Sequence, residues 1–232
     1  FFELADFLLV HNQNSKEDFK NHFNMNLNNV IFFRFPFMDL NQLPGNFIKK
    51  KPLFIKENNL TVGVFGNLRK EKGVDVVLNA WNLFYKEQRN VHLIIAGYIP
   101  PGVKFDFELV ENKSSTIIEK FIDDNSYKKM IESCDVVILP YKRGTNSGIP
   151  SSIISCNTLV LTSNIPMFLN NNLIHSDFVF ESEDPHSLAS KLEWLYKLNI
   201  KDLNHFKNIN KIKKQDYLKQ FNLEVIDCFN FI

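Results

Sequence analysis

Arg69, Lys70 and Lys72 stand together in GNLRKEKG, directly after the apolar run Leu60 to Phe65 and directly before an apolar-periodic stretch. A loop that leaves a strand and enters a helix with this charge suits a diphosphate. The planar Arg guanidinium can grip two oxygens at once, and Lys adds a point charge. The spacing matches neither a P-loop nor a dinucleotide fingerprint, since G-x-x-x-x-G-K-[ST] and G-x-G-x-x-G are both missing. A second candidate lies in Tyr141 to Gly148, between the apolar runs Val136 to Leu139 and Leu159 to Thr162. These runs read as strands buried on both faces, and Ser147 to Cys156 reads as the helix between them. A Ser-Gly pair opening a helix offers free amides and the positive end of a dipole to a phosphate. The same Ser147 is equally well explained as an N-cap. Asp106 and Glu108 could pass for a metal-binding pair, but they have no fixed helix or strand context.

The elements that must carry these loops follow from periodicity. Leu60 to Phe65 reads as a strand, and Gly73 to Glu87 as a helix with Val74, Val77, Leu78, Trp81 and Phe84 on one stripe. Val91 to Ala96 reads as the next strand, completing a right-handed βαβ unit. Further strands are expected at Thr116 to Ile122 and Phe178 to Phe180. Asp123 or Asp124 caps a helix over Ser126 to Ser133, and Asp184 caps one over Pro185 to Tyr196. Asp202 to Gln220 reads as a polar helix and Leu223 to Phe231 as a separate amphipathic one. Upstream, Ala5 to His11 and Val30 to Phe35 read as strands around a helix at Lys16 to Phe23, which is the end of an α/β domain without its beginning. The expected fold class is α/β, a Rossmann-like parallel sheet with helices on both faces plus a partial N-terminal α/β segment. The boundaries are 1–38 for the end of a first domain, 39–59 for a linker, 60–210 for the main domain and 211–232 for a helical tail.

Composition bounds the function. The 232 residues are 44% hydrophobic and 23% charged with a net charge of +1, an ordinary globular balance with no global field to recruit nucleic acid. Charge is local instead, at Lys49 to Lys51 and at Lys211, Lys213 and Lys214. Such clusters are solvated surface or a site of peripheral membrane association. No apolar run approaches the length of a transmembrane helix, and FFELADFLLVHN lacks the marks of a signal peptide. Cys134, Cys156 and Cys228 are odd in number and scattered, so reduced core thiols in a cytoplasmic protein are expected, at the inner face of a membrane if it is peripheral.

Taken in order, GNLRKEKGVDVVLNAW, VHLIIAG, IIEKFIDDNSYKKMIESCDVVILPYKRGTNSGI and NTLVLTSNIPMF resemble the nucleotide-sugar domain of family-four retaining glycosyltransferases with the GT-B fold. The stretch ADFLLVHNQNS through FFRFPFMD is similar to the last strands of the acceptor domain that precedes it. The resemblance implies that Arg69 and Lys72 hold the donor diphosphate and stabilise the leaving nucleotide, in a loop that begins with Gly66 and Asn67. It implies that Ser147 and Gly148, in the loop that begins at Tyr141, meet the distal phosphate, and that Phe121 and Ile122 line the base pocket. Members of the family often carry two Glu across this second loop and helix, where Gly144 and Ser152 stand here. Ser152 is the residue left to reach a ribose hydroxyl. The donor implied is a UDP- or GDP-linked sugar, used without a cofactor or divalent metal. The acceptor implied is a glycan or lipid-linked hydroxyl, and the setting is polysaccharide or glycolipid synthesis. A noncatalytic nucleotide-sugar-binding module, a subunit of a split transferase and a sugar-nucleotide epimerase are the alternatives. His11 follows a late strand and is not given a catalytic role.

Overall fold

The computed structural model describes residues 8–11, 30–32, 34–42, 59–111 and 113–231. The helix expected at Lys16 to Phe23, the run Lys49 to Lys51 and most of the 39–59 linker lie outside these residues.

Strands β1 (Leu8–Val10) and β2 (Val30–Phe32) pair in parallel as a small sheet of their own. The main sheet has six parallel strands: β3 (Asn59–Asn67), β4 (Asn90–Tyr98), β5 (Ser115–Ile118), β6 (Val136–Leu139), β7 (Leu159–Ser163) and β8 (Val179–Phe180). Their spatial order is β5-β4-β3-β6-β7-β8. Six helices cover it: α1 (Val74–Phe84), α2 (Asp124–Glu132), α3 (Ile149–Ser155), α4 (Pro166–Leu169), α5 (Pro185–Lys197) and α6 (Ile200–Phe231).

The pleat sorts the core into two layers, because successive side chains of a strand face opposite ways. Leu60, Val62, Val64, Leu93, Ile95, Val136, Ile138, Leu159 and Leu161 share one face with α1, α5 and Leu203. Phe65, Ala96, Val137, Leu139 and Val160 share the other with α2, α3, Phe168 and Tyr217. Every residue of β6 and β7 is buried, as their uninterrupted apolar runs require. Trp81, 0% exposed, sits at the centre of the first layer with its Nε1 donating to Lys113 O at 2.8 Å.

Two elements differ from the sequence reading. Strand β5 spans Ser115–Ile118 and not Thr116 to Ile122, because its pairing with β4 ends at Ala96–Ile118. The chain then runs irregularly to Asp123, whose carboxylate caps α2 by accepting from Asn125 N and Ser126 N. The expected polar and amphipathic helices are one, α6, which passes unbroken through residues 210 and 211. No Gly or Pro falls between Ile200 and Phe231, so nothing in the backbone ends the helix at Phe221.

The second half of α6 reaches back to the segment that follows β2. Arg34 forks onto Glu224 through Nε and Nη2, at 2.9 and 2.7 Å, and its ring partner is Tyr217. Tyr217 Oη donates to Phe35 O at 2.7 Å, and Lys214 pairs with Asp39 at 2.7 Å. Lys213 donates to Asn172 O and Ile174 O. Two lysines of the basic cluster at 211–214 are therefore engaged within the fold. No helix among the described residues is long and apolar enough to cross a membrane. Cys134 and Cys156 are free thiols, and burial pushes both above the usual thiol range, Cys156 to about 11.

Trp81→Ala should lower the free energy of unfolding by ~3–5 kcal/mol, read by urea denaturation, because the cavity left between α1 and the sheet has no mobile segment to fill it.

Candidate functional site

The strand order fixes where a ligand can enter. From β3 the chain winds outward through β4 to β5, then returns to β6 on the other side of β3 and winds outward again. The crossovers on the two sides leave a crevice beyond the carboxyl ends of β3 and β6, the switch point at which open α/β sheets bind ligands. The loops at that point are 67–73 and 140–148, the two segments that composition singled out.

The first loop is built as a single tight turn. Leu68 is buried and donates its N–H to Tyr98 O, which anchors the loop to the end of β4. A 3-10 turn follows over Lys70–Lys72, with Lys72 N donating to Arg69 O at 2.9 Å. Arg69 precedes the turn in extended backbone and Lys72 ends it, near enough that the Arg69 charge acts on Lys72. Gly73 closes the turn with φ 66°, in the left-handed region, and opens α1. A Cβ at Gly73 would collide with the carbonyl oxygen of Pro140 at the end of β6. Only glycine satisfies both demands.

That close approach joins the two loops. Lys142 N donates to Glu71 O at 2.9 Å, Arg143 pairs with Glu71 at 3.1 Å, and Lys142 pairs with Asp75 at 2.7 Å and Glu183 at 3.8 Å. Arg69 and Lys72, by contrast, make no salt bridge among the described residues. Lys72 Nζ instead rests 3.4 Å from the centroid of the Tyr141 ring. Burial, with the Arg69 charge next in weight and Glu71 opposing, depresses Lys72 to about 8.

Tyr141 is 3% exposed, and its ring stacks on Phe168 at 5.2 Å. Its Oη is enclosed without a hydrogen-bond partner among the described residues. Burial pushes this phenol up, while Ser147, close by but outside hydrogen-bond geometry, and the Arg69 charge act the other way. Arg69, Lys72, Tyr141 and Ser147 thus belong to one neighbourhood contributed by two loops.

The remaining sequence-predicted residues divide. Gly66 and Asn67 end β3 beside Gly97 and Tyr98, at the floor of the same crevice. The helix expected from Ser147 begins at Ile149, with Gly148 as its cap residue and Pro150 in its first turn. Ser147 therefore precedes the cap and is not the N-cap, although its Oγ accepts from Ile149 N at 3.3 Å. Gly148 lies under Phe35 and Met38, which a Cβ there would strike. Met38 N donates to Ser151 Oγ at 3.0 Å, so the segment after β2 forms one wall of the site. Ser152 requires a correction. It is 2% exposed and its hydroxyl donates to Gly148 O, so in this arrangement it presents nothing to a ribose. Phe121 projects into solvent at 80% exposure after β5, and Ile122 packs partly against the second core layer. The covering role of Phe35 and Met38 and the seating of Lys72 on Tyr141 left no mark in the sequence, because each joins residues far apart in the chain. The run of cations and the Ser-Gly pair opening a helix were the legible signals.

The family model described as glycosyl transferases group 1 matches residues 46–214, more than half of the chain. No curated protein sequence matches. Among solved structures, the chain is similar to the C-terminal domain of a glycosyl transferase group 1 family protein, LpcC, from Francisella tularensis. That likeness has 20% identity and TM-score 0.53 over 62% of this chain and 77% of that one. It is similar to the catalytic domain of cholesterol-alpha-glucosyltransferase from Helicobacter pylori, with 16% identity and TM-score 0.57 over 68% and 98% of the two chains. It is also similar to Anabaena Alr3699/HepE, solved in complex with UDP and glucose, with 15% identity and TM-score 0.73. That last likeness covers 99% of this chain, which spans 64% of the Anabaena protein. At these identities the structures establish the GT-B-like α/β fold.

Gly73→Ala should cost ~2–4 kcal/mol of stability by urea denaturation, from the left-handed backbone and the collision with Pro140 together.

Proposed function

The chain belongs to the glycosyl transferases group 1 family, and from that premise we propose that it is the nucleotide-sugar-binding part of a retaining glycosyltransferase of the family-four type. The observation that carries this reading is the pair Arg69 and Lys72, on either side of one 3-10 turn at the sheet's switch point and in no salt bridge among the described residues, while neighbouring Lys142 and Arg143 are paired with acids. Two cations at close range, one of them half-buried and offset only in part by the Glu71 charge, repel each other until a second anion arrives. A diphosphate fits: it brings two negative groups with oxygen spacing that a guanidinium can hold bidentately.

On this reading the donor is a UDP- or GDP-linked sugar. As the bond from the anomeric carbon to the diphosphate oxygen breaks, negative charge grows on that oxygen. Arg69 and Lys72 stabilise it more strongly than they stabilise the ground state, which lowers the barrier. The charge is met by side chains, so the reading calls for no divalent metal. Gly66 and Asn67 floor the site and Ser147 and Gly148 flank the distal phosphate. Phe121 and Ile122, in the irregular stretch after β5, are the residues this reading assigns to the base. The acceptor is a glycan or lipid-linked hydroxyl, as in polysaccharide or glycolipid synthesis; its oxygen bonds to the donor's anomeric carbon with retention as the diphosphate leaves, and its proton passes to the departing phosphate. The β1–β2 unit, within the proposed 1–38 remnant of an acceptor domain, is joined to the main domain by the segment that covers Gly148.

A second reading, a module that binds nucleotide sugar without transferring it, is favoured by Gly144 and the buried Ser152 in the places where the family often carries Glu. Sugar transferred by the chain, alone or with a separate acceptor-domain polypeptide, excludes it.

Titration calorimetry with UDP and GDP tests the diphosphate site. Arg69→Ala and Lys72→Ala should each weaken binding by at least about tenfold, the loss expected for one charge-assisted contact. Affinity unchanged in both variants would sink the reading. A bound diphosphate holds Lys72 protonated, so above its depressed value of about 8 binding must take up a proton. Affinity should therefore be flat below that pH and fall by up to about tenfold per further pH unit. Lys72→Arg, which keeps its charge, should remove the fall.

A further inference from the structure

Lys72 is held in place by something other than an acid. Glu71 beside it is occupied by Arg143, and Asp75 on α1 and Glu183 beyond it face Lys142. Arg69, which precedes the turn, repels it. The Glu71 charge favours it from a distance, and the group in direct contact with its ammonium is the face of Tyr141, 3.4 Å from Nζ to the ring centroid. That ring is itself immobile. It is 3% exposed and stacked on Phe168, and Tyr141 O accepts from Ser163 Oγ at 2.5 Å and Ser182 Oγ at 3.3 Å.

We propose that Tyr141 is the positioning residue for Lys72: its ring face seats the ammonium beside Arg69, at the crevice between β3 and β6, through the attraction of a cation to an aromatic quadrupole. The negative face of the ring replaces water around Nζ without neutralising its charge, as a carboxylate would. Lys72 stays cationic, fixed in direction and free to meet an anion on its other side. The phenolic oxygen takes no part, since it has no hydrogen-bond partner among the described residues. A phenylalanine would serve as well.

The inference rests on the proposed function only for the identity of the anion, and its test is made on the ligand-free full chain. The 13Cε shift of Lys72, assigned by its loss in Lys72→Arg, is followed against pH. In the unaltered protein the midpoint is expected at about 8. Tyr141→Phe should leave it within ~0.2 pH unit, and Tyr141→Leu should lower it by ~0.5–1 unit, because the ring's contribution is lost while burial and Arg69 remain. A series of progressively fluorinated phenylalanines at position 141 keeps the ring's size and drains its negative face. The midpoint should fall with each added fluorine, whether or not Tyr141→Leu folds. A midpoint that stays level across the fluorinated series, or that rises, overturns the proposal. UDP affinity in the same series separates the two claims. A falling midpoint with no binding by any variant or by the unaltered chain would retain the seat and remove the diphosphate site.

Discussion

The α-carbon of Gly73 lies against the carbonyl oxygen of Pro140, and the rest of the site depends on that contact. It can form because Gly73 adopts φ 66° at the end of one 3-10 turn and has no side chain to keep β6 away. Once the backbones touch, Lys142 N finds Glu71 O, the acids of the first loop find the cations of the second, and Lys72 reaches the ring of Tyr141. A larger residue at position 73 would separate the loops and return the half-buried Lys72 to water, where its attraction for an anion is weak.

The neutralisation across these loops is selective. Six charged side chains, Glu71, Asp75, Lys142, Arg143, Arg69 and Lys72, crowd a small volume, and the acids are all turned toward Lys142 and Arg143. Exposed pairs of this kind contribute little stability. Their effect is on direction: they remove the flanking charges from the field of the crevice and leave Arg69 and Lys72 to set it. The tyrosine face beneath Lys72 keeps that charge intact at a position where burial works against it.

The segment 34–42 links this site to the far end of α6. It lies over Gly148 through Phe35 and Met38, and bonds to α3 through Ser151 and Ser155. On its other side it is clasped by Arg34–Glu224, Tyr217–Phe35 and Asp39–Lys214. The Arg34–Glu224 pair is only 17% and 22% exposed and forked, so it is stiffer than a typical surface pair. The length of α6 is thereby explained: its second half holds the chain that walls the site.

How much of this was legible in the sequence follows from what each feature depends on. Strands β3, β4, β6, β7 and β8, helices α1 and α5 and the layered α/β class follow from local patterns of apolar and polar residues and from Asp and Pro at helix starts, which act over a few residues. The cationic loop was readable for the same reason, since Arg69 and Lys72 are neighbours in the chain. The end of β5 at Ile118 and the unbroken course of α6 depend on partners and on the absence of a breaker, so residue pattern alone misplaced both. Ser152 was assigned to a ribose by its place in a motif, whereas packing turned its hydroxyl into its own helix. The amino-acid order by itself determined which segments carry charge and which are buried. Only the tertiary structure decided which cations are left out of salt bridges, because that outcome rests on contacts between residues some seventy positions apart, Glu71 with Arg143 and Lys72 with Tyr141.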